Sequence, residues 1–179
     1  NGDIQHLGSN PLSPTDTEML VDEVIPLAKK EGLTQIGTAD FAYSLPGIAR
    51  FRINAFHQRG SISMAIRLVN QKIPTLSELN LPDTVARFTT FQRGLVLVTG
   101  MTGSGKSTTL ASIIDKVNRD RPCHIITIED PIEYLHKDKT AIINQMEVGT
   151  DTASFEIALK HVLRQDPDVI LVGELRDKE

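Results

Sequence analysis

Apolar positions along this chain follow three patterns in succession: helical spacing near the N-terminus, alternation in the next stretch, and short unbroken runs in the second half. From Ser13 to Gly32 the spacing predicts a helix. Ser13-Pro14 offers a hydroxyl cap and a proline at the first helical position, with Asp16 and Glu18 in the first turn. Leu20, Val24 and Leu27 form an apolar stripe, and Gly32 after Lys29 and Lys30 is the expected stop. Ala39 to Leu45, a Pro46-Gly47 turn, Ile48 to Phe56, a turn at His57 to Gly60, and Ser61 to Val69 then predict an antiparallel meander.

Alternation divides the meander into faces. Ala49, Phe51, Ile53 and Ala55 share one side of their strand, and Arg50, Arg52 and Asn54 share the other. The register that pairs Phe51 with Ile66 and Ile53 with Met64 keeps both apolar sets together. It sets Arg50 opposite Arg67, with Arg52 on the diagonal. Three like charges on one face repel unless an anion or a partner's carboxylates meet them. An arginine face of this kind suits a finger reaching a phosphate from outside the phosphate-binding domain, or else a plain solvated sheet surface.

Residues 70–83, with Pro74 and Pro82, read as a linker holding at most a short helix. After Gly94 the texture changes. Leu95 to Thr99 is an apolar run that predicts a strand, followed by a glycine-rich loop and a helix from Lys106 to Asn118. Ile125 to Glu129 and Val169 to Val172 suit strands buried on both faces. Ala141 to Val148 is a candidate added β segment, and Thr152 to Arg164 is an amphipathic helix carrying Phe155, Leu159, Val162 and Leu163. Strands alternating with helices predict a parallel α/β sheet.

Gly100-Met101-Thr102-Gly103-Ser104-Gly105-Lys106-Ser107 fits G-x-x-x-x-G-K-[ST], with a strand-like run before it and a helix after. Backbone N–H groups must converge on phosphate oxygens, so side chains there must be small, and Gly103 and Gly105 permit unusual φ. The helix start presents unpaired N–H groups and a positive dipole end. Lys106 supplies charge for the β and γ phosphates, and the Ser107 hydroxyl is a ligand for Mg²⁺. Gly100, Thr102, Gly103, Ser104, Gly105, Lys106, Ser107 and Thr108 are therefore the expected nucleotide-binding residues.

Phosphoryl transfer to water also needs carboxylates, which in a parallel sheet belong at the carboxyl ends of strands. Two places qualify. Ile125 to Ile128 runs into Glu129-Asp130-Pro131-Ile132-Glu133, where Pro131 ends the strand. Val169 to Val172 runs into Gly173-Glu174-Leu175-Arg176-Asp177. A Walker B strand ends in aspartate; Gly173 occupies that position and Glu174 is displaced by one. Glu133 and Glu174 are the candidate functional acids, and Glu129 and Asp177 read as loop caps.

Composition narrows the classes. A net charge of −4 provides no global attraction to nucleic acid or anionic lipid. No apolar run approaches the roughly 20 residues that span a bilayer, so any membrane association is expected through partners. The single Cys123 has no internal disulfide partner, and five scattered histidines lack metal-ligand spacing. The missing initiator Met and the stop just after a strand-like run suggest a piece of a longer protein.

LPGIARFRINAFHQRG (residues 45–60), GLVLVTGMTGSGKSTTL (94–110), ITIEDPIE (126–133), INQMEVG (143–149) and LRQDPDVILVGELRD (163–177) resemble the secretion-type ATPases of bacterial pili and type II secretion, and among them the PilT-type retraction motors of type IV pili. This resemblance implies an α+β, PAS-like N-terminal domain over residues 1–69 and a RecA-like P-loop domain over 84–179. It implies Glu133 as the water-activating base, Glu174 as the displaced Walker B acid, and Arg50, Arg52 and Arg67 as interface arginines. It also implies ATP and Mg²⁺, a homohexameric ring, an inner-membrane platform protein as partner, and a cytoplasmic place at the inner face of the bacterial inner membrane. Met101 stands where such loops often carry proline. An assembly or secretion ATPase, a phosphoryl-transfer kinase and a non-catalytic nucleotide-binding regulator are the alternatives.

Overall fold

The computed structural model describes residues 3–8, 10–46, 48–69 and 72–175, arranged as two compact units, Asn1–Leu68 and Val69–Glu179. The first opens with α1 (Pro14–Val24), whose start is a reciprocal capping box. Asp16 N–H donates to Ser13 Oγ at 3.2 Å, and Ser13 N–H donates to Asp16 Oδ2 at 2.8 Å. The single expected helix is in fact two. Pro26 has no N–H to continue the ladder and holds Ile25 in extended backbone (φ −75, ψ 127), so α2 restarts at Leu27 and runs to Ile36. Gly32 lies inside α2; the stop is Gly37, at φ 84, whose N–H closes on Leu33 O. The break also resets the apolar phase: Val21, Ile25 and Leu33 are buried, whereas Leu27 is 84% exposed.

Strands β1 (Thr38–Leu45), β2 (Ala49–Gln58) and β3 (Ser61–Leu68) form an antiparallel sheet in that order. Gly47 of the expected first turn lies outside the described residues. The second turn is Arg59-Gly60, with both φ positive (49 and 79), which suits the two-residue turns that follow strand twist. This tight turn shifts the register by two from the expected one. Phe51 pairs with Leu68, Ile53 with Ile66, and Arg52, not Arg50, lies opposite Arg67. Side chains alternate with period two, so both registers keep the apolar face intact, and turn length chooses between them. Phe41, Ile53 and Ala55 join Val21, Ile25 and Leu33 in one core under the two helices.

In the second unit, much of the stretch expected as a linker is packed: Val69 and Leu76 are buried, and Ser112 Oγ donates to Pro74 O at 2.7 Å. Asn70 and Gln71 lie outside the described residues. A short α3 (Asp83–Arg87) leads through a 3₁₀ turn to the glycine-rich loop and α4 (Lys106–Asp120). Then follow β4 (His124–Glu129), β5 (Ile142–Glu147), α5 (Phe155–Val162) and β6 (Val169–Val172). The sheet is wholly parallel in the order β5-β4-β6. Ile114 and Val117 of α4 pack with Ile125 on one face, and Ala158 and Val162 of α5 pack with Ile126 and Ile128 on the other. α5 is shorter than expected, starting at its Ser154 cap, and Leu163 points outward at 71% exposure.

Leu95 to Thr99 corrects the sequence reading more sharply: it forms no strand. Leu95 is 82% and Leu97 64% exposed, and among the described residues β6 is paired on its β4 side alone. An apolar run becomes a strand when a neighbour completes its backbone hydrogen bonds, and none does so here.

Candidate nucleotide site

Period two places Ile125, Thr127 and Glu129 of β4 on the α4-facing side of the parallel sheet. In register beside them stand Ile143, Gln145 and Glu147 of β5, and Val169 and Leu171 of β6. Towards the amino ends this face is apolar and covered by the middle of α4. Towards the carboxyl ends it turns polar, beneath the start of α4. A polar crevice at the carboxyl ends of parallel strands, with a helix N-terminus above it, is where such folds bind ligands.

The glycine-rich loop lies at that helix start. Gly103 and Gly105 have φ of 81 and 92, so their expected freedom is used, and Gly105 is the residue from which α4 departs. Gly100 serves by close approach: a Cβ there would come within 2.6 Å of Ser104 Oγ. Met101 O accepts the Ser104 N–H at 3.1 Å, which tightens the turn. Lys106 Nζ donates to Gly100 O and Met101 O, each at 3.0 Å, so the cation lies back across its own loop. Thr102 is exposed beside it. Thr108, in the first turn of α4, shares a hydrogen bond of 3.0 Å with the Tyr134 hydroxyl.

A cleft beneath the loop is lined by Ser107, Glu129, Asp130, Glu133 and Glu174, among others. The structure thus brings Ser107, Glu133 and Glu174 together from α4, the β4–β5 loop and the end of β6. Glu133 is exposed and Glu174 half-buried. Gly173 explains the displaced acid: its N–H donates to Ile128 O at 2.8 Å, and a Cβ would meet Glu129 Cα and Ile128 O at 3.3 Å. Glu129 fills the space an aspartate at position 173 would need. Burial raises the Glu129 carboxyl above its ordinary range, and the Thr127 hydroxyl (2.6 Å) and Gln145 amide (3.1 Å) donating to Oε1 oppose that. Asp177 lies outside the described residues.

Several site residues escaped the sequence reading. Thr127 stands as a hydroxyl in an isoleucine run, and Gln145 and Glu147 as polar residues at alternate places of a strand; those were the available signals. His136 also lines the cleft, and burial lowers its imidazole to about 4. Among the described residues no group of three His, Cys, Asp or Glu side chains could hold a metal by itself. The oxygens of Ser107 and Glu174 suit a hard cation that also takes ligands from a phosphate. Arg50, Arg52 and Arg67 belong to the first unit, on the sheet face opposite its core. Asp40 and Asn54 flank Arg52 and Arg67 in a shallow concavity there, and Arg50 Nη1 donates to Ser44 Oγ at 3.4 Å.

The chain is similar to several known proteins. The "Type IV pilus ATPase PilU" of Pseudomonas aeruginosa is 45% identical over all 179 residues, which span 47% of its length. The "Type IV pilus retractation ATPase PilT" of the same organism is 42% identical, again over the whole chain and 52% of its own length. A crystal structure titled as the pilus retraction motor PilT with bound ADP superposes with a TM-score of 0.88 at 51% identity, covering 91% of this chain and 48% of that one. The chain spans about half the length of these relatives. Residues 41–179, from within β1 through both acidic loops, match the family described as Type II/IV secretion system protein, and the chain belongs to that family.

Proposed function

We propose that this chain is the nucleotide-binding part of an ATP-hydrolysing motor of the pilus-retraction type. The observation that carries the reading is the convergence of Ser107, Glu133 and Glu174 in one cleft under the glycine-rich loop. The full-chain similarity to PilU and PilT, which includes the first unit, favours the retraction type over assembly and secretion ATPases. In this reading the first unit is a PAS-like domain, the second a RecA-like ATPase domain, and the working form a homohexamer. It acts at the cytoplasmic face of the inner membrane on a platform protein. No helix among the described residues is long and apolar enough to cross a membrane, which fits attachment through partners.

ATP is the substrate, its phosphates received by the N–H groups of the loop and of the first turn of α4. Lys106 exchanges the carbonyls of Gly100 and Met101 for phosphate oxygens, so its charge is already at the loop before nucleotide arrives. Ser107 and Glu174 would hold Mg²⁺, directly or through water, and that ion supplies charge neutralisation when bound. Glu133 orients a water and takes its proton as the water oxygen bonds to the γ-phosphorus and the β–γ bridging bond breaks. Arg50, Arg52 or Arg67 would act on a neighbouring subunit's γ-phosphate.

Two substitutions separate binding from chemistry. Lys106→Ala is expected to weaken Mg-ATP binding at least ~10-fold by calorimetry, since a charge-assisted contact is lost. Glu133→Gln in the full-length protein is expected to bind ATP normally while hydrolysis falls by ~10² or more. Unchanged binding in the first, or unchanged turnover in the second, would sink the corresponding assignment. Mixing an arginine-to-Gln subunit with a Glu133→Gln subunit restores activity only if the arginine acts across a subunit junction.

A further inference from the structure

The loop that carries Glu133 is held from β5, and the structure assigns Gln145 as a positioning residue for that loop. This rests on the proposed function, in which Glu133 orients the attacking water. Every hydrogen-bonding capacity of the Gln145 amide except one lone pair is used. Its Nε2 donates to Glu129 Oε1 at 3.1 Å and to Tyr134 O at 2.9 Å, and its Oε1 accepts the His136 N–H at 2.8 Å. The reversed amide would set its NH₂ against the His136 N–H, so the network also fixes which way the side chain faces.

Glu133 lies between two such attachments. On one side the Ile132 N–H donates to Glu147 Oε2 at 3.1 Å, and Glu147 is 3% exposed. On the other, the Tyr134 carbonyl is bound by Gln145 and its hydroxyl by Thr108 of α4. Gln145 and Glu147 share one face of β5, and that strand is paired to β4 along its length. The exposed carboxylate of Glu133 therefore projects from a segment pinned at both neighbours. The same Gln145 amide touches Glu129, the last residue of β4, so one side chain binds both Glu129 and the segment that carries Glu133. Two of its three bonds, from the His136 N–H and to Tyr134 O, are to backbone, which a change of loop sequence would preserve.

Two variants and two readouts test this. Gln145→Leu keeps bulk and removes all three bonds; Gln145→Glu keeps shape but sets a second carboxylate against Glu129. In the full-length protein, Gln145→Leu is expected to lower kcat by about 10–100-fold with KM for Mg-ATP within about 3-fold, because misplacement of a reacting group costs rate more than binding. For Gln145→Glu, two carboxylates in contact share a proton, so its turnover relative to wild type rises as pH falls from 8 to 6. The titratable groups around position 145 are Glu129, Glu133, Tyr134 and His136, and His136, lowered to about 4 by burial, stays neutral over that range.

Amide hydrogen exchange on this chain supplies the readout that needs no catalysis. The His136 N–H is expected to lose protection at least ~10-fold in Gln145→Leu, which lacks its acceptor. It keeps protection in Gln145→Glu, whose carboxylate still accepts it, and Ile125 to Ile128 keep theirs in both variants. Unchanged exchange at His136 in Gln145→Leu, or a kcat within 2-fold of wild type in both variants, overturns the positioning role. A rate loss in Gln145→Glu that is the same at pH 6 and pH 8 also overturns it. If wild type fails to hydrolyse ATP but His136 responds as expected, the proposed function falls and the holding of the loop by Gln145 stands.

Discussion

Glu129 is the residue whose environment differs most from its place in the sequence. It reads there as a solvated cap after a buried strand. In the structure it is half-buried, with Thr127 and Gln145 donating to it and Gly173 pressed against its Cα. Burial raises its pKa above the ordinary 4.5, so the folded state binds the proton more tightly than the unfolded state does. The stability contributed by that proton is fully present below about 4.5 and is lost as pH rises through the folded value. Glu129→Gln keeps an acceptor for both donors and removes the buried charge. Urea unfolding is expected to show the variant more stable than wild type at pH 7.5, with the difference vanishing below pH 4.5. A difference that grows on acidification would contradict the burial argument. Residue chemistry alone could not predict this, because Gln145 and Gly173, which meet Glu129 in the fold, are distant from it in the chain.

At the level of elements, the two sheets respond to sequence differently. The β2–β3 hairpin is set by its turn: Arg59-Gly60 takes positive φ at both positions, and the register follows. That register puts Arg52 directly opposite Arg67. Like charges facing each other across antiparallel strands destabilise by ~0.2–1 kcal/mol, an effect Asp40 on the same face offsets in part. Arg52→Gln is therefore expected to leave the chain equally stable or stabilise it by that amount in thermal unfolding. The gain should shrink as salt is raised. A clear loss of stability at low salt would mean that Arg52 is bound more strongly than its repulsion by Arg67. The parallel sheet takes its order from packing instead, with β4 between two strands and α4 and α5 covering opposite faces.

For the whole molecule, the expected consequence of the cleft is ligand linkage. A nucleotide that binds the native second unit and not the unfolded chain stabilises it by ~2.7 kcal/mol at a hundredfold excess over Kd. Mg-ATP is thus expected to raise the unfolding midpoint with its concentration, and Lys106→Ala to abolish the shift at the same concentrations. A midpoint that ignores Mg-ATP in wild type would remove the cleft as a nucleotide site. The family relationship covers residues 41–179, and the similarity to PilU and PilT spans the whole chain, so both units share that ancestry.

The amino-acid sequence by itself determined what depends on a few consecutive residues. The capping box at Ser13 and Asp16, the left-handed glycines at 103 and 105, the helix leaving Lys106 and the strand character of 125–129 and 169–172 are local in this sense. So is the resemblance carried by the glycine-rich and acidic segments. Periodicity alone misjudges two local signals, since Pro26 splits the helix and the two-residue turn at Arg59-Gly60 chooses between registers that the period of two leaves equivalent. Tertiary structure decided what depends on distant partners. Leu95 to Thr99, apolar enough for a strand, found no neighbour to complete its backbone bonds. The setting of Glu133 belongs with these, since the groups that hold its loop, Gln145 and Glu147, lie 12 and 14 residues further along the chain. A parallel ladder brings them alongside, and no pattern within either segment encodes that pairing.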